Sequence, residues 1–310
     1  MADTAKVTFF HNSGLSVEVM DTLLIFDYWL GDADKGLPTE MRLQNRELEK
    51  YRRVLVFVSH DHKDHFDEAI YQWDHEHLPI TYIVSDDLPI GKRGRRMKPG
   101  DTMTVDNVEI SAYDSTDKGV SYYVTIYGLH IFHAGDLNLW HWREESSLQE
   151  IEQAEEAFYA AMEPLKRLPM DVAMFPLDPR MSGLYDAGAN HFIMTVKPAI
   201  FIPIHWLDRP EVATSFVRAG RTRYTEVVAL TKPRQAAEIT FHAYETHIRI
   251  IAPEAPTTSP IIPLSMSLRQ VCMPAPRNVS GAPPSMSPFS FARATSSLPS
   301  SSDAPSGFSL

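Results

Sequence analysis

Between His60 and His65 the chain reads His-Asp-His-Lys-Asp-His, three imidazoles and two carboxylates within six residues. Imidazole and carboxylate suit a borderline or hard divalent cation, Zn²⁺ first and Mn²⁺ or Fe²⁺ behind it. His60 and His62 are two apart and share one side of an extended segment, and Asp64 and His65 follow at the turn beyond it. Two ligand pairs so close together point to two adjacent ions, an arrangement that holds a bridging hydroxide for hydrolysis. Two other stretches could do chemistry. Trp140-His141-Trp142 sets two large aromatics around an imidazole and reads as a pocket wall, with His141 as a proton donor. Lys92-Arg93-Gly94-Arg95-Arg96-Met97-Lys98 holds five cations in seven residues. It reads either as a solvated loop or as a rim that attracts an anionic substrate such as a phosphate ester. Asp74-His75-Glu76-His77 looks like a further metal cluster but lacks a strand to present it, and reads as a solvated turn.

The elements that must position these residues follow from periodicity. Val54 to Val58 is a run of β-branched and aromatic residues, the pattern of a buried strand, and it ends in the histidine cluster. Three short strands precede it, at Lys6 to Phe10, Leu15 to Met20 and Thr22 to Phe26, with tight turns at Asn12-Ser13-Gly14 and near Asp21. The charged segment Glu40 to Arg52 reads as a helix, as does Phe66 to Trp73. Strands are expected at Ile80 to Val84, Met103 to Val105 and Val108 to Tyr113. A hairpin follows, from Val120 to Ile126 and His130 to His133, turning at Tyr127-Gly128. Leu148 to Leu168 is an amphipathic helix with Pro164 kinking its last turn. Beyond it lie a strand at Val172 to Phe175, a helix at Ala187 to Val196, a strand at Ala199 to Ile204 and a short helix at Glu211 to Arg218. Strands at Glu226 to Leu230, Glu238 to His242 and His247 to Ile251 complete the pattern.

Composition bounds the partners. The net charge is −11, and the residues after Glu254 contribute three Arg against one Asp, so the body is more acidic still. That argues against a nucleic-acid groove spread over it. No apolar run approaches the ~18 residues of a membrane span. A single cysteine, Cys272, fits a reducing compartment. With no signal-peptide pattern at the start, a soluble cytoplasmic protein is expected. From Pro253 the composition turns to Pro, Ser and Ala, with eleven of the 23 prolines. The division is therefore a folded domain over 1–252 and a disordered tail over 253–310. Asn278-Val279-Ser280 matches a glycosylation sequon, without meaning in a protein that is not secreted.

Ser59 to His65 resembles the signature of the metallo-β-lactamase superfamily, over about residues 5–250. Phe132-His133-Ala134-Gly135-Asp136 is similar to the ascorbate-phosphate-lactonase-like branch. The resemblance implies an α/β chain of the α+β kind, a four-layer αββα sandwich of two mixed β-sheets with the metal cleft along one edge. It implies metal-dependent hydrolysis of a small-molecule ester, lactone or phosphodiester. The alternatives are a nuclease and a non-catalytic metal-binding regulatory protein. The implied ligands are His60, His62, Asp64, His65, Asp136 and His205. Asp136 bridges the two ions, and Asp64 and Asp136 also count as catalytic. His60 and His62 would hold one ion, and Asp64, His65 and His205 the other. Asp27, ending an early strand, either supports the ligands through hydrogen bonds or only caps a turn. The pattern departs from the superfamily in one place: the histidine expected upstream of Asp136 is missing from Ser111 to Gly119. Asp114, Asp117 or a water would fill that place, with His133 as a neighbour rather than a ligand. A carboxylate there makes the site harder, which favours Mn²⁺ or Fe²⁺ over Zn²⁺.

Overall fold

The strand that carries the histidines, β4 (Arg53–Val58), is buried at every position. Continuous burial is the mark of a strand covered on both faces, as central parallel strands are. The computed structural model describes residues 3–251, except 33–35, 74–77, 79, 143–144 and 243–244, and side chains as far as Phe241. The expectations for His75, His77, the sequon and the tail fall outside the described residues.

The preceding strands are β1 (Asp3–His11), β2 (Gly14–Val19) and β3 (Thr22–Phe26), and β5 (Ile80–Ser85) and β6 (Arg95–Met97) follow β4. A second series comprises β7 (Thr102–Val105), β8 (Val108–Tyr113), β9 (Ser121–Ile126), β10 (Leu129–His133), β11 (Val172–Pro176), β12 (Ile200–Ile204) and β13 (Glu226–Val227). The chain then returns to the first sheet with β14 (Ala236–His242) and β15 (Glu245–Ile251). The sheets have eight strands, ordered β15-β14-β1-β2-β3-β4-β5-β6, and seven, ordered β13-β12-β11-β10-β9-β8-β7. Each is mixed in the same way: β3 to β6 and β10 to β13 run parallel, and the remaining pairs are antiparallel. The parallel strands β3, β11 and β12 are buried throughout and, Thr22 apart, apolar, whereas antiparallel β8 alternates buried and more exposed residues. Strand β13 is shorter than the sequence pattern predicts. Its neighbour carries Pro203, which cannot donate to a ladder, and pairing stops at Phe201.

The main core unites residues of both sheets, with Val17, Phe26, Phe57, Tyr122, Phe132 and Phe175 among its fully buried members. A second cluster, including Phe10, Ile25, Tyr28, Val56 and Trp73, packs the segments after β3 and β4 onto the other face of the first sheet. On the second sheet lie α2 (Leu148–Met162), α3 (Ala187–Val196) and α4 (Pro210–Gly220), and α2 gives way to a 3₁₀ turn at Pro164 as expected.

Three expectations need correction. The helix over Phe66 to Trp73 is reduced to a 3₁₀ turn at Glu68–Gln72, where the Asp67 carboxylate accepts from the Ala69 amide. The helix over Glu40 to Arg52 is reduced to a 3₁₀ turn at Thr39–Met41 and the single turn α1 (Asn45–Leu48). The carbonyls of Met41 and Arg42 accept from the Arg234 guanidinium instead, and Glu47 pairs with the same arginine. Part of the basic segment Lys92 to Lys98 is the edge strand β6. Its cations tie down that edge: Lys92 pairs with Glu68, Arg93 lies over the Tyr71 and Tyr82 rings, and Arg96 donates to the carbonyls of Asp86, Leu88 and Pro89.

Candidate metal centre

Parallel strands end on the same side of a sheet, and loops leaving those ends form a crevice. Here the ends of β3 and β4 deliver Asp27 and the Ser59–His65 loop, while β10, β11 and β12 deliver Asp136, Asp178 and His205. Asp27 (φ 43°) and His205 (φ 55°) turn off their strands in left-handed backbone conformations, uncommon for residues other than glycine. Two glycines let the second sheet's loops press on the histidine loop. At Gly119 (φ 66°) a Cβ would lie 2.1 Å from the Ser59 carbonyl oxygen, and at Gly135 (φ 55°) one would lie 2.8 Å from Ser59 Cβ. The amide of Val120 donates to that Ser59 carbonyl at 2.9 Å.

The donor atoms fall into two sets. His60, His62, Asp117 and Asp136 form one, and Asp64, His65 and His205 the other. In the first set, His60 Nε2 and His62 Nδ1 face each other at 3.0 Å, and Asp117 Oδ2 is 3.4 Å from His62 Nδ1. In the second, His205 Nε2 lies 3.1 Å from Asp64 Oδ2, which is itself 3.7 Å from His65 Nε2. Asp136 stands between them. Its Oδ2 is 3.5 Å from His60 Nε2, while its Oδ1 is 3.1 Å from His65 Nε2 and 3.5 Å from His205 Nε2.

The place of the missing histidine is taken by Asp117, whose side chain is 38% exposed. Asp114 is exposed and accepts from the amide of Ser115. His133 is a neighbour, as expected: buried and stacked on Phe26, it donates from Nε2 to the Ser13 carbonyl at 2.9 Å and accepts at Nδ1 from the Gly135 amide.

Around the donors lies a layer of groups that fixes them. Asp27, fully buried, accepts from the Ser59 amide (2.8 Å), the Ser59 hydroxyl (2.7 Å) and His65 Nδ1 (2.7 Å). His60 Nδ1 donates to the same hydroxyl at 2.9 Å, which leaves its Nε2 free as a donor atom. Of the two readings of Asp27, support of the ligands is the one the geometry matches. Sequence reasoning missed two further supports. Asn12 Nδ2, in the β1–β2 turn, donates to Asp64 Oδ2 at 3.1 Å. Asp178 Oδ2, at the end of β11, sits 3.2 Å from His205 Nδ1. The one available signal was that Asp178 closes an apolar strand, as Asp27 and Asp136 nearly do.

Electrostatics follow from this crowding. Burial alone would raise the carboxyls of Asp27 and Asp136, but surrounding imidazoles outweigh it and hold both below the ordinary range. Burial lowers His60 to about 4, with His65 adding to the effect. Burial also opposes charge on His65 and His205, yet Asp136 and the other nearby carboxylates raise both, His205 to about 9. Asp117 is raised by burial and by Asp136.

The donors open into a cleft of about 320 Å³ lined by His62, Asp64, Thr116, Asp117, Asp136, Trp140, Trp142, Arg180 and His205. Trp140 and Trp142 form the expected wall, with parallel rings 5.8 Å apart. His141 does not face it. Its Nε2 lies 2.9 Å from Glu155 Oε1 on α2, in a segment that turns at Trp140, where the His141 amide donates to the Leu139 carbonyl. The basic segment Lys92 to Lys98 does not line the cleft either, since its strand is the far edge of the first sheet.

Comparison with solved structures agrees with this architecture. Igni18, a metallo hydrolase from the archaeon Ignicoccus hospitalis, is 19% identical with a TM-score of 0.57, covering 77% of this chain and 100% of its own. The chain shares the fold of this metallo hydrolase. A mutant of the β-hydroxylase CmlA from Streptomyces venezuelae is 12% identical, with a TM-score of 0.50 over 76% of this chain and 53% of its own. A Thermotoga maritima protein of the metallo-β-lactamase superfamily is 14% identical, with a TM-score of 0.40 over 73% of this chain and 97% of its own. No protein-family model and no curated protein matches the sequence. At these identities the likeness concerns the fold, and a proposal about chemistry has to rest on the donors themselves. Among the described residues no helix is long and apolar enough to cross a membrane.

Proposed function

We propose that this metallo-β-lactamase-fold chain is a metal-dependent hydrolase of small molecules carrying an ester, lactone or phosphodiester bond. One observation carries the reading: the two oxygens of Asp136 face two separate donor sets beneath an open cleft. The donors fit divalent cations. His65 Nε2 and Asp136 Oδ1 are buried 3.1 Å apart without a well-aligned hydrogen bond between them or to any other group, an arrangement natural for ligand atoms that converge on a shared cation. His60, His62 and Asp117 would hold one ion, Asp64, His65 and His205 the other, with Asp136 shared. A divalent ion there supplies an activated water at neutral pH and stabilises the charge that develops on the attacked group.

The chain's own residues do the rest. Asp27, Asp178 and Asn12 hold His65, His205 and Asp64 in register, so the donors do not reorganise when substrate enters. Trp140 and Trp142 shield one side of the cleft from water and offer an apolar surface to the substrate body. A cleft of this volume admits a small molecule. The nuclease reading has less support, since among the described residues Arg180 is the sole arginine or lysine lining the cleft and nucleic acid needs a track of such cations. The donor set mixes imidazole with carboxylate, so Zn²⁺, Mn²⁺ and Fe²⁺ all suit it.

The test combines elemental analysis of the purified chain with turnover on ester, lactone and phosphodiester panels. One or two ions per chain and hydrolysis of at least one class are expected, both lost in Asp136→Ala. Bound metal with no turnover on any panel would favour the regulatory reading instead.

A further inference from the structure

The cleft that holds the donors is acidic, with Asp64, Asp117 and Asp136 in its lining, yet one permanent cation is built into its wall. Arg180 lies in the 3₁₀ turn Pro179–Leu184 that follows β11, and its guanidinium is fixed from two sides. Nε lies 2.9 Å from both oxygens of Asp178, and Nη2 donates to Asp178 Oδ2. The plane sits over the Trp142 ring, 5.5 Å from its centroid. Contacts then close into a circuit. Trp142 stacks on Trp140, Trp140 meets His205 edge-on at 6.3 Å, and His205 returns to Asp178. Arg180 is thus rigidly referenced to a donor residue of the metal centre.

The pairing with Asp178 does not exhaust the side chain. It remains 53% exposed, and Nη1 has no hydrogen-bond partner among the described residues. An arginine needed only to neutralise Asp178 could be buried against it. This one lines the cleft while Asp178 engages only its Nε/Nη2 side, and the Nη1/Nη2 end left over matches a planar or tetrahedral oxyanion with two parallel N–H bonds. The rotamer entropy of the long side chain is already spent on Asp178 and Trp142, so an anion arriving there gains a pre-organised partner. Resting on the hydrolase reading above, we infer that Arg180 anchors an oxyanion, a carboxylate or phosphate, on a non-reacting part of the substrate. The adjoining indoles take the apolar portion that links this anion to the scissile bond.

The experiment compares matched substrates of whichever panel class turns over. One carries a remote carboxylate, one a remote phosphate, and one a neutral amide of the same size. In the metal-loaded wild type, kcat/KM favours one of the anionic members over the neutral one, and which member wins distinguishes carboxylate from phosphate. Arg180→Gln lowers the anionic-to-neutral ratio by about 10- to 100-fold, as loss of a hydrogen bond between charged groups does. The change lies in KM, and Arg180→Lys recovers part of it. Lys98→Gln, outside the cleft, leaves the ratio unchanged. If Arg180→Gln slows all three substrates alike, the residue only positions Asp178 and His205, and the inference is overturned. A wild type without anionic preference overturns it equally.

Should the metal-loaded chain hydrolyse nothing, the hydrolase reading fails separately, and binding still decides this one. Benzoate or phenyl phosphate should then quench tryptophan fluorescence at lower concentration than benzamide, with the difference abolished in Arg180→Gln. Equal quenching by all three in the wild type would refute the anchor.

Discussion

The substitution Asp27→Asn isolates the part played by a buried carboxylate that touches no substrate. Asparagine has nearly the same volume and tolerates the left-handed backbone found at this position (φ 43°), so the turn after β3 should survive. What changes is the hydrogen-bond inventory. Asp27 accepts three bonds, from the Ser59 amide, the Ser59 hydroxyl and His65 Nδ1. An asparagine oxygen can keep the amide bond, but its NH₂ group then faces the hydroxyl and the imidazole. The hydroxyl can rotate. His65 cannot leave, being fully buried with a tilted ring contact to His60 at 4.1 Å. To accept from the new NH₂, Nδ1 must lose its proton to Nε2, the nitrogen that faces Asp136 and the donor set.

Binding a metal through Nε2 then requires the opposite tautomer, with two N–H groups opposed where a 2.7 Å bond had been. An unmade hydrogen bond at a buried site costs about 1–3 kcal/mol, or roughly 5- to 150-fold in affinity. That range brackets the ~10–100-fold loss usual when a histidine ligand's partner is removed. Competition with a chromophoric chelator at neutral pH would measure it, with circular dichroism to verify the fold. If Asp27→Asn keeps wild-type affinity while remaining folded, Asp27 does not set the tautomer of His65, and the argument collapses.

Other outcomes follow from the same geometry. In the metal-free chain His65 and His205 are raised, the latter to about 9, so at neutral pH both carry protons that a ligated metal must displace. Metal uptake should therefore release close to two protons, and affinity should climb with pH up to the His205 value by about tenfold per unit for each proton displaced. Titration calorimetry in buffers of differing ionisation enthalpy counts those protons, and a count of zero contradicts the protonation pattern. Asp117→Ala should remove one ion while leaving the ion held by Asp64, His65 and His205, read as metal per chain falling from two toward one. Simultaneous loss of both ions would show that the two sets are not separable.

How legible the site was depended on how local each signal is. His60 to His65 sits in one run after a strand with no polar interruption, and both strand and cluster could be read directly. Asp136 and His205 are single residues at strand ends; only the superfamily resemblance singled them out, and the fold then brought them together. Asp117 remained one of three alternatives because the loop from Ser111 to Gly119 has no periodicity, and its approach depends on Gly119 packing against Ser59 and His60. Arg180 and Asp178 lay in Pro-Leu-Asp-Pro-Arg, which reads as a turn; their roles require β11 to lie parallel beside β12 so that Asp178 meets His205. His141 was a different kind of error. The chain turns at Trp140, which sets Trp140 and Trp142 on the wall and sends the imidazole between them to Glu155, and nothing in Trp-His-Trp announces that turn.

Burial divides the centre into a fixed part and an adjustable one. His60, His65, Asp136 and His205 are buried on strand ends from both sheets, and their positions are set by the same packing that joins the sheets. His62, Asp117 and Arg180 are between 35% and 53% exposed, on loops at the mouth of the cleft. Exposed ligands exchange with water more readily than buried ones, so retention of metal belongs to the buried donors. On the function proposed above, the mouth is where ions would enter and substrate would be sorted. A carboxylate at position 117 suits that place. It gives up the directional lone pair of an imidazole for a charge that works at varied distances, so an ion held by His60, His62 and Asp117 would be bound more loosely than one held by Asp64, His65 and His205. Arg180 sits across the same mouth, where an arriving anion meets one positive group while its scissile bond lies toward Asp136.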